Sequence, residues 1–161
     1  MHVIQFDNLI MLIIIVFLSA LVYRIYKIYA TKEKIRSLAN SEIEITPEQF
    51  LSLRRQSAGG KGNQHISTTM DFAGVYIIYN KSKNKYYVGQ GKRVFKRVND
   101  HFTGHGNGDV YADYKYGDKF TIKMISLAKS GCSSLNELER NAIMTYGAYK
   151  TGYNRTRGNR G

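Results

Sequence analysis

Gly74-Val75-Tyr76-Ile77-Ile78-Tyr79-Asn80, a polar turn from Lys81 to Lys85, and the return Tyr86-Tyr87-Val88-Gly89 form the stretch that decides the fold. Two β-branched and aromatic runs separated by Asn and Lys predict an antiparallel hairpin, because alternate side chains can bury one face while the turn stays hydrated. Tyr76 and Tyr87 are its chemically useful side chains. Downstream, Phe120-Thr121-Ile122-Lys123-Met124-Ile125 alternates as a third strand, with Phe120, Ile122 and Met124 on one face. Between them, Val94, Phe95, Val98 and Phe102 recur at helical spacing, so the segment from Arg93 to Phe102 reads as a helix facing the sheet. Arg97 and His101 lie one turn apart beside that stripe. An Arg there can neutralise a phosphate, and a His can hydrogen-bond or carry a proton.

A second helix opens at Ser134-Leu135-Asn136-Glu137, which has the form of a capping box and gives Glu137 a local structural task. Glu139 differs. It is in line with Leu135 four residues before and Ile143 four residues after, within or beside an apolar stripe, where a carboxylate loses hydration. Such a group calls for a cation: either an ion-pair partner or a metal. Gly89-Gln90-Gly91-Lys92 lacks the spacing of the common nucleotide fingerprints and reads as a turn opening the first helix. The glycines in the stretch from Thr103 to Asp109 suit a loop able to close over substrate, and His105 reads as a loop residue.

Taken in order, the paired Tyr76 and Tyr87, the helical Arg97 and His101, Glu139 in a second helix and the closing Gly152-Tyr153-Asn154 resemble the GIY-YIG nuclease domain over roughly Phe72 to Gly161. The resemblance implies an α/β fold, a small antiparallel three-stranded sheet flanked by helices, and metal-dependent hydrolysis of a phosphodiester. It assigns Tyr76 as general base for the attacking water and Tyr87 as a positioning group. Arg97 becomes the transition-state clamp, His101 an aid to proton transfer or orientation, Glu139 the ligand of one Mg²⁺ or Mn²⁺, and Asn154 a supporting amide. A single carboxylate with waters and substrate phosphate suits Mg²⁺. Many members carry a further DNA-recognition domain after this core, and here the sequence ends at Gly161, so sequence-specific cleavage is not the expectation.

The first 71 residues read differently. Leu9 to Val22 holds Ser19 as its one polar residue, and Tyr23, Ile25, Ile28 and Tyr29 extend the apolar character past Arg24 and Lys27. A bilayer span needs about 20 residues, and long basic stems can snorkel to the interface where tyrosines also settle, so residues 9–29 can span. No Lys or Arg precedes Leu9 and no small-x-small cleavage pattern follows, which favours an uncleaved anchor over a signal peptide. Arg24, Lys27, Lys32, Lys34 and Arg36 follow the segment, so the C-terminal domain is expected in the cytoplasm. The lone Cys132 agrees with a reducing compartment.

The expected organisation is thus an anchor over 1–30, a linker with a short helix over 31–71, and a nuclease-like domain over 72–161. Within the linker, Thr46-Pro47-Glu48-Gln49 predicts an N-cap, Pro at the first helical position and a capping-box Gln, with the helix ending near Arg55. The stretch from Ser57 to Gln64 reads as a flexible tether, and His65 as solvated.

Charge separates the halves. Residues 74–161 hold 16 Lys and Arg against 6 Asp and Glu, whereas residues 1–73 hold 8 against 6. That balance attracts nucleic acid or an anionic membrane surface, and the interleaved Tyr and Asn favour nucleic acid; DNA is the substrate expected with the nuclease resemblance. The expectation is a membrane-anchored endonuclease acting on incoming phage or foreign DNA. Two other readings stay open: a nucleic-acid binding module with degenerate catalysis, and a basic membrane-associated interaction protein.

Overall fold

The computed structural model describes residues 2–56 and 69–159; the stretch 57–64 read as a tether, and His65, lie outside the described residues. The central hairpin forms as the alternation requires. β1 (Gly74–Asn80) pairs antiparallel with β2 (Lys85–Gly91), and β1 pairs on its other side with β3 (Phe120–Ser126), in the order β2-β1-β3. β2 runs through Gln90 and Gly91, so the glycine-flanked segment expected as a turn is strand, and the helix α3 (Val94–Phe102) starts just beyond it.

The alternation of β1 divides the core. Val75 and Ile77 face a layer made with Ile125, Leu138, Ala142 and Ile143, while Tyr76 and Ile78 face one made with Val94, Val98, Phe102 and Ile122. The first layer is built by α6 (Leu135–Tyr146), the second by α3 and by α4 (Gly108–Lys115). α4 takes in Gly108 and Asp109, the end of the stretch read as loop, and continues through residues for which the sequence reading named no element. Its start is set by Asn107, whose side chain accepts the Asp109 and Val110 amides at 3.0 and 3.1 Å. A short turn of helix, α5 (Leu127–Ser130), links β3 to the approach to α6.

The N-terminal segment is more integrated than a linker. α1 runs unbroken over His2–Ser41, and its last turns bury Ile35 and Ala39 in the α6 layer. α2 (Pro47–Arg55) starts with the expected capping box: Thr46 Oγ1 accepts the Gln49 amide at 3.3 Å, and Gln49 Oε1 accepts the Thr46 amide at 2.8 Å. It buries Phe50 completely in the other layer. Between them Ile45 exchanges two backbone hydrogen bonds with Ile122, at 3.1 and 2.8 Å, and so covers the open edge of β3. The upstream half of α1 is different. From Asn8 the helix is long and apolar enough to cross a membrane, and none of its apolar window is buried within the protein.

Candidate active site

Tyr76 lies fully buried on the central strand, directly opposite Gly89 of β2. A Cβ at Gly89 would collide with the Tyr76 ring and hydroxyl, so glycine there leaves the space the phenol occupies. Tyr87, two residues earlier in β2, stands on the same face, with ring centroids 6.1 Å apart. His101 completes the cluster from α3, its ring 5.3 Å from Tyr76 and 4.6 Å from Tyr87.

The hydrogen bonds of His101 define its proton. Nδ1 accepts the backbone amide of Asn107 at 2.9 Å, a partner that can only donate. The neutral ring therefore carries hydrogen on Nε2, which donates to the Tyr76 hydroxyl oxygen at 2.9 Å. Burial, reinforced by the Arg97 charge, pulls the His101 pKa down to about 4, so the ring is neutral near pH 7. His101 thus has no free acceptor nitrogen in this arrangement. It can orient Tyr76 and stabilise negative charge on its oxygen. Burial pushes both tyrosines above the ordinary phenol range, while the Arg97 guanidinium opposes the rise in each.

Arg97 and His101 share α3 but not an environment. His101 is 1% exposed, whereas the Arg97 side chain is half open to solvent and meets the Asp100 carboxylate at 3.7 Å. The start of α3 is held from outside the helix. Arg93 makes no side-chain cap, and Asp71 instead accepts the Phe95 and Lys96 amides at 2.8 and 3.3 Å.

Glu139 reaches the site from the opposite layer, on α6. Ser134 caps this helix by accepting the Glu137 amide at 3.2 Å. The Glu137 carboxylate bonds the Ser133 amide at 2.8 Å, so the return half of the expected capping box closes one residue upstream. As its place in the stripe requires, Glu139 is buried, 9% exposed beside Leu138 and Ala142. Oε2 accepts from Gln90 Nε2 at 3.0 Å and from the Asn159 amide at 3.4 Å. Among the described residues, Oε1 accepts no hydrogen bond and no basic side chain forms an ion pair with the carboxylate. Burial raises its pKa, against the pull of these hydrogen bonds and of Arg140. Its charge in turn helps to raise Tyr87, which couples the two faces around the β2 edge.

Asn154 acts on that edge. Its amide makes a two-way clamp on Val88, accepting the backbone N–H at 2.9 Å and donating to the C=O at 2.7 Å. The Tyr153 amide donates to Tyr86 O at 2.9 Å, so the closing segment covers β2 much as a further strand would. Asn154 thereby fixes the backbone between Tyr87 and Gly89, and its own amide N–H bonds Ala148 O just after α6. Gln90, Asn107 and Asp71 complete the supports and were not singled out from sequence. Two are neutral amide residues and the third is an Asp far from the helix it caps, so residue type carried no signal.

The fold and site together define a nuclease-type domain: a three-stranded sheet with two tyrosines, an exposed arginine and a buried carboxylate gathered at one edge. The chain matches the GIY-YIG catalytic domain over residues 72–154, just over half its length, and belongs to that family. It finds no match among curated proteins or solved structures.

Members of the family generally use a divalent metal, and the donor set fits one. Among the described residues no three of His, Cys, Asp and Glu cluster, so the protein would supply the Glu139 carboxylate and leave the remaining positions to water and phosphate. An Oε1 without a hydrogen bond and the lack of an ion-paired base, among the described residues, suit that role.

Proposed function

We propose that this protein is a membrane-anchored, metal-dependent endonuclease that hydrolyses phosphodiester bonds, with DNA as its substrate. The observation that carries the reading is Glu139, a buried carboxylate that, among the described residues, has one oxygen held, one without a hydrogen bond and no ion-pair partner, and whose charge bears on Tyr87. Glu139 would hold one Mg²⁺ or Mn²⁺, which when bound supplies positive charge to the phosphate and the leaving oxygen. Arg97, exposed beside the tyrosines, clamps a non-bridging phosphate oxygen. Tyr76 takes the proton of the attacking water as its phenolate, the form that the Arg97 charge and the His101 N–H favour against burial. His101 donates to Tyr76 through Nε2 and stabilises negative charge there, so its part is orientation rather than proton acceptance. Tyr87 positions the phosphate, and Asn154 holds the strand that presents Tyr87.

The anchor reading is supported by the unburied apolar face of α1 from Leu9 to Tyr29 and by the basic residues that follow it. With the catalytic domain at the cytoplasmic face, DNA entering the cell, such as that of a phage, is the natural target. The test is incubation of supercoiled plasmid with the detergent-purified chain, with and without Mg²⁺, beside Glu139→Ala. Metal-dependent nicking lost in the variant supports the reading; DNA binding that never yields a nick, with Mg²⁺ or Mn²⁺, overturns it. A chain lacking residues 1–30 should cut in the test tube and protect cells poorly, and equal protection by the soluble form would remove the anchored role.

A further inference from the structure

Away from the tyrosine cluster, α1 and the C-terminal half of α6 border a cavity of about 660 Å³. Four cations line it: Lys32 from α1, Arg140 from α6, Lys150 from the turn beyond, and Arg157 from the C-terminal segment. Among the described residues no Asp or Glu lines it and none of the four forms an ion pair. Arg140 donates to the Asn159 carbonyl at 2.7 Å, and Arg157 lies over the Tyr149 ring at 5.5 Å. Met144 and Tyr149 add exposed apolar surface to the same lining. Excess positive charge beside an apolar wall fits a ligand with an anionic head and an apolar body. Lys32 and Arg157 fall outside the matched residues 72–154, so this feature is not part of the family core.

The helix sets the level of the cavity. At 1.5 Å per residue, a hydrocarbon layer of about 30 Å takes about 20 residues. Counted from Leu9, it ends near Ile28. Lys32 is then about 6 Å further along, inside a headgroup layer roughly 5–7 Å thick. Because α1 continues unbroken and buries Ile35 and Ala39 in the domain core, the cavity is held at that level.

On the reading of α1 as an anchor, we propose that this cavity binds the headgroup of an anionic phospholipid of the phosphatidylglycerol type. The four cations receive the phosphate, and Met144 and Tyr149 meet the glycerol and upper acyl chain. A bound lipid would fix the orientation of the catalytic domain against the bilayer.

The test uses the full chain, first inserted into neutral phosphatidylcholine nanodiscs to check the anchor, then titrated in detergent with phosphatidylglycerol and read by native mass spectrometry. The wild type should retain phosphatidylglycerol in preference to phosphatidylcholine. Lys150→Glu with Arg157→Glu should weaken retention at least tenfold, since each basic group near an anionic surface contributes about fivefold. Lys150→Arg with Arg157→Lys, which keeps the charge, should restore it and exclude a folding defect. Unchanged retention in the charge-reversed chain overturns the proposal. So does a variant that keeps its lipid but loses affinity for a short DNA duplex, which would make the cavity a nucleic-acid groove. Failure to enter nanodiscs would reject the anchor itself, whereas insertion without lipid selectivity would reject only the headgroup site.

Discussion

Removing residues 1–30 and removing residues 1–65 should have very different effects on the catalytic domain. The shorter deletion takes away the unburied apolar part of α1 and leaves Ile35, Ala39, Ile45 and Phe50 in place. The longer one strips Ile35 from the α6 layer and Phe50 from the α3 layer, both essentially inaccessible to solvent. Each such side chain contributes about 1.5–3 kcal/mol by burial, and the surface they cover in the two layers, including the Phe95 ring stacked on Phe50, is exposed as well. The loss comes to about 5 kcal/mol, before counting the two Ile45–Ile122 hydrogen bonds, against a total of about 5–15 kcal/mol for an ordinary domain. In a domain near 100 residues this corresponds to a Tm about 20 °C lower or to no cooperative transition at all. The assay is thermal unfolding of fragments 31–161 and 66–161 by circular dichroism. If the two melt cooperatively within about 5 °C of each other, α1 and α2 are not structural parts of the domain and this account of the core is wrong.

Gly89→Ala should lower stability by about 1–3 kcal/mol and abolish nicking, because its Cβ meets the Tyr76 hydroxyl; wild-type activity and Tm in the variant would refute the packing claim. Glu139→Gln should lose metal-dependent nicking yet be more stable to denaturant without metal, by about 1 kcal/mol, since it removes a charge whose burial is unfavourable. Added Mg²⁺ should raise the Tm of the wild type and not of that variant. For His101 the folded pKa lies below the ordinary value of 6.5, so the unfolded chain binds the proton first and stability falls as pH drops from 6.5 to 4, by about 3 kcal/mol. Denaturant titrations across that range should show this slope reduced in His101→Gln, and identical slopes would place the proton elsewhere.

Much of the fold was legible because its signals are local. The alternation in β1 and β3, the stripe through Val94, Val98 and Phe102, and the cap at Thr46 each reflect spacing within one element, and each appears in the structure. α4 escaped because its start depends on one Asn107 cap after a run of glycines. The reading of residues 31–71 as a linker with a short helix did not show that Ile35 and Phe50 are core, since a short apolar stripe does not reveal what will cover it. For the site, the order of Tyr76, Tyr87, Arg97, His101, Glu139 and Asn154 was readable, whereas their supports Gln90, Asn107 and Asp71 were not.

The sequence by itself determined which elements form, which of their faces are apolar, and that a carboxylate at position 139 would lose much of its water. Those properties follow from side-chain chemistry at fixed intervals along one strand or helix. Tertiary structure decided the rest: that a backbone N–H six residues downstream sets the proton of His101, that Gly89 makes room for Tyr76, and that no basic side chain among the described residues forms an ion pair with Glu139. It also decided that the helix rising from the apolar N-terminal segment ends inside the catalytic core. Backbone donors and the packing of distant segments carry no residue-type signature, so they become visible only once the chain has closed on itself.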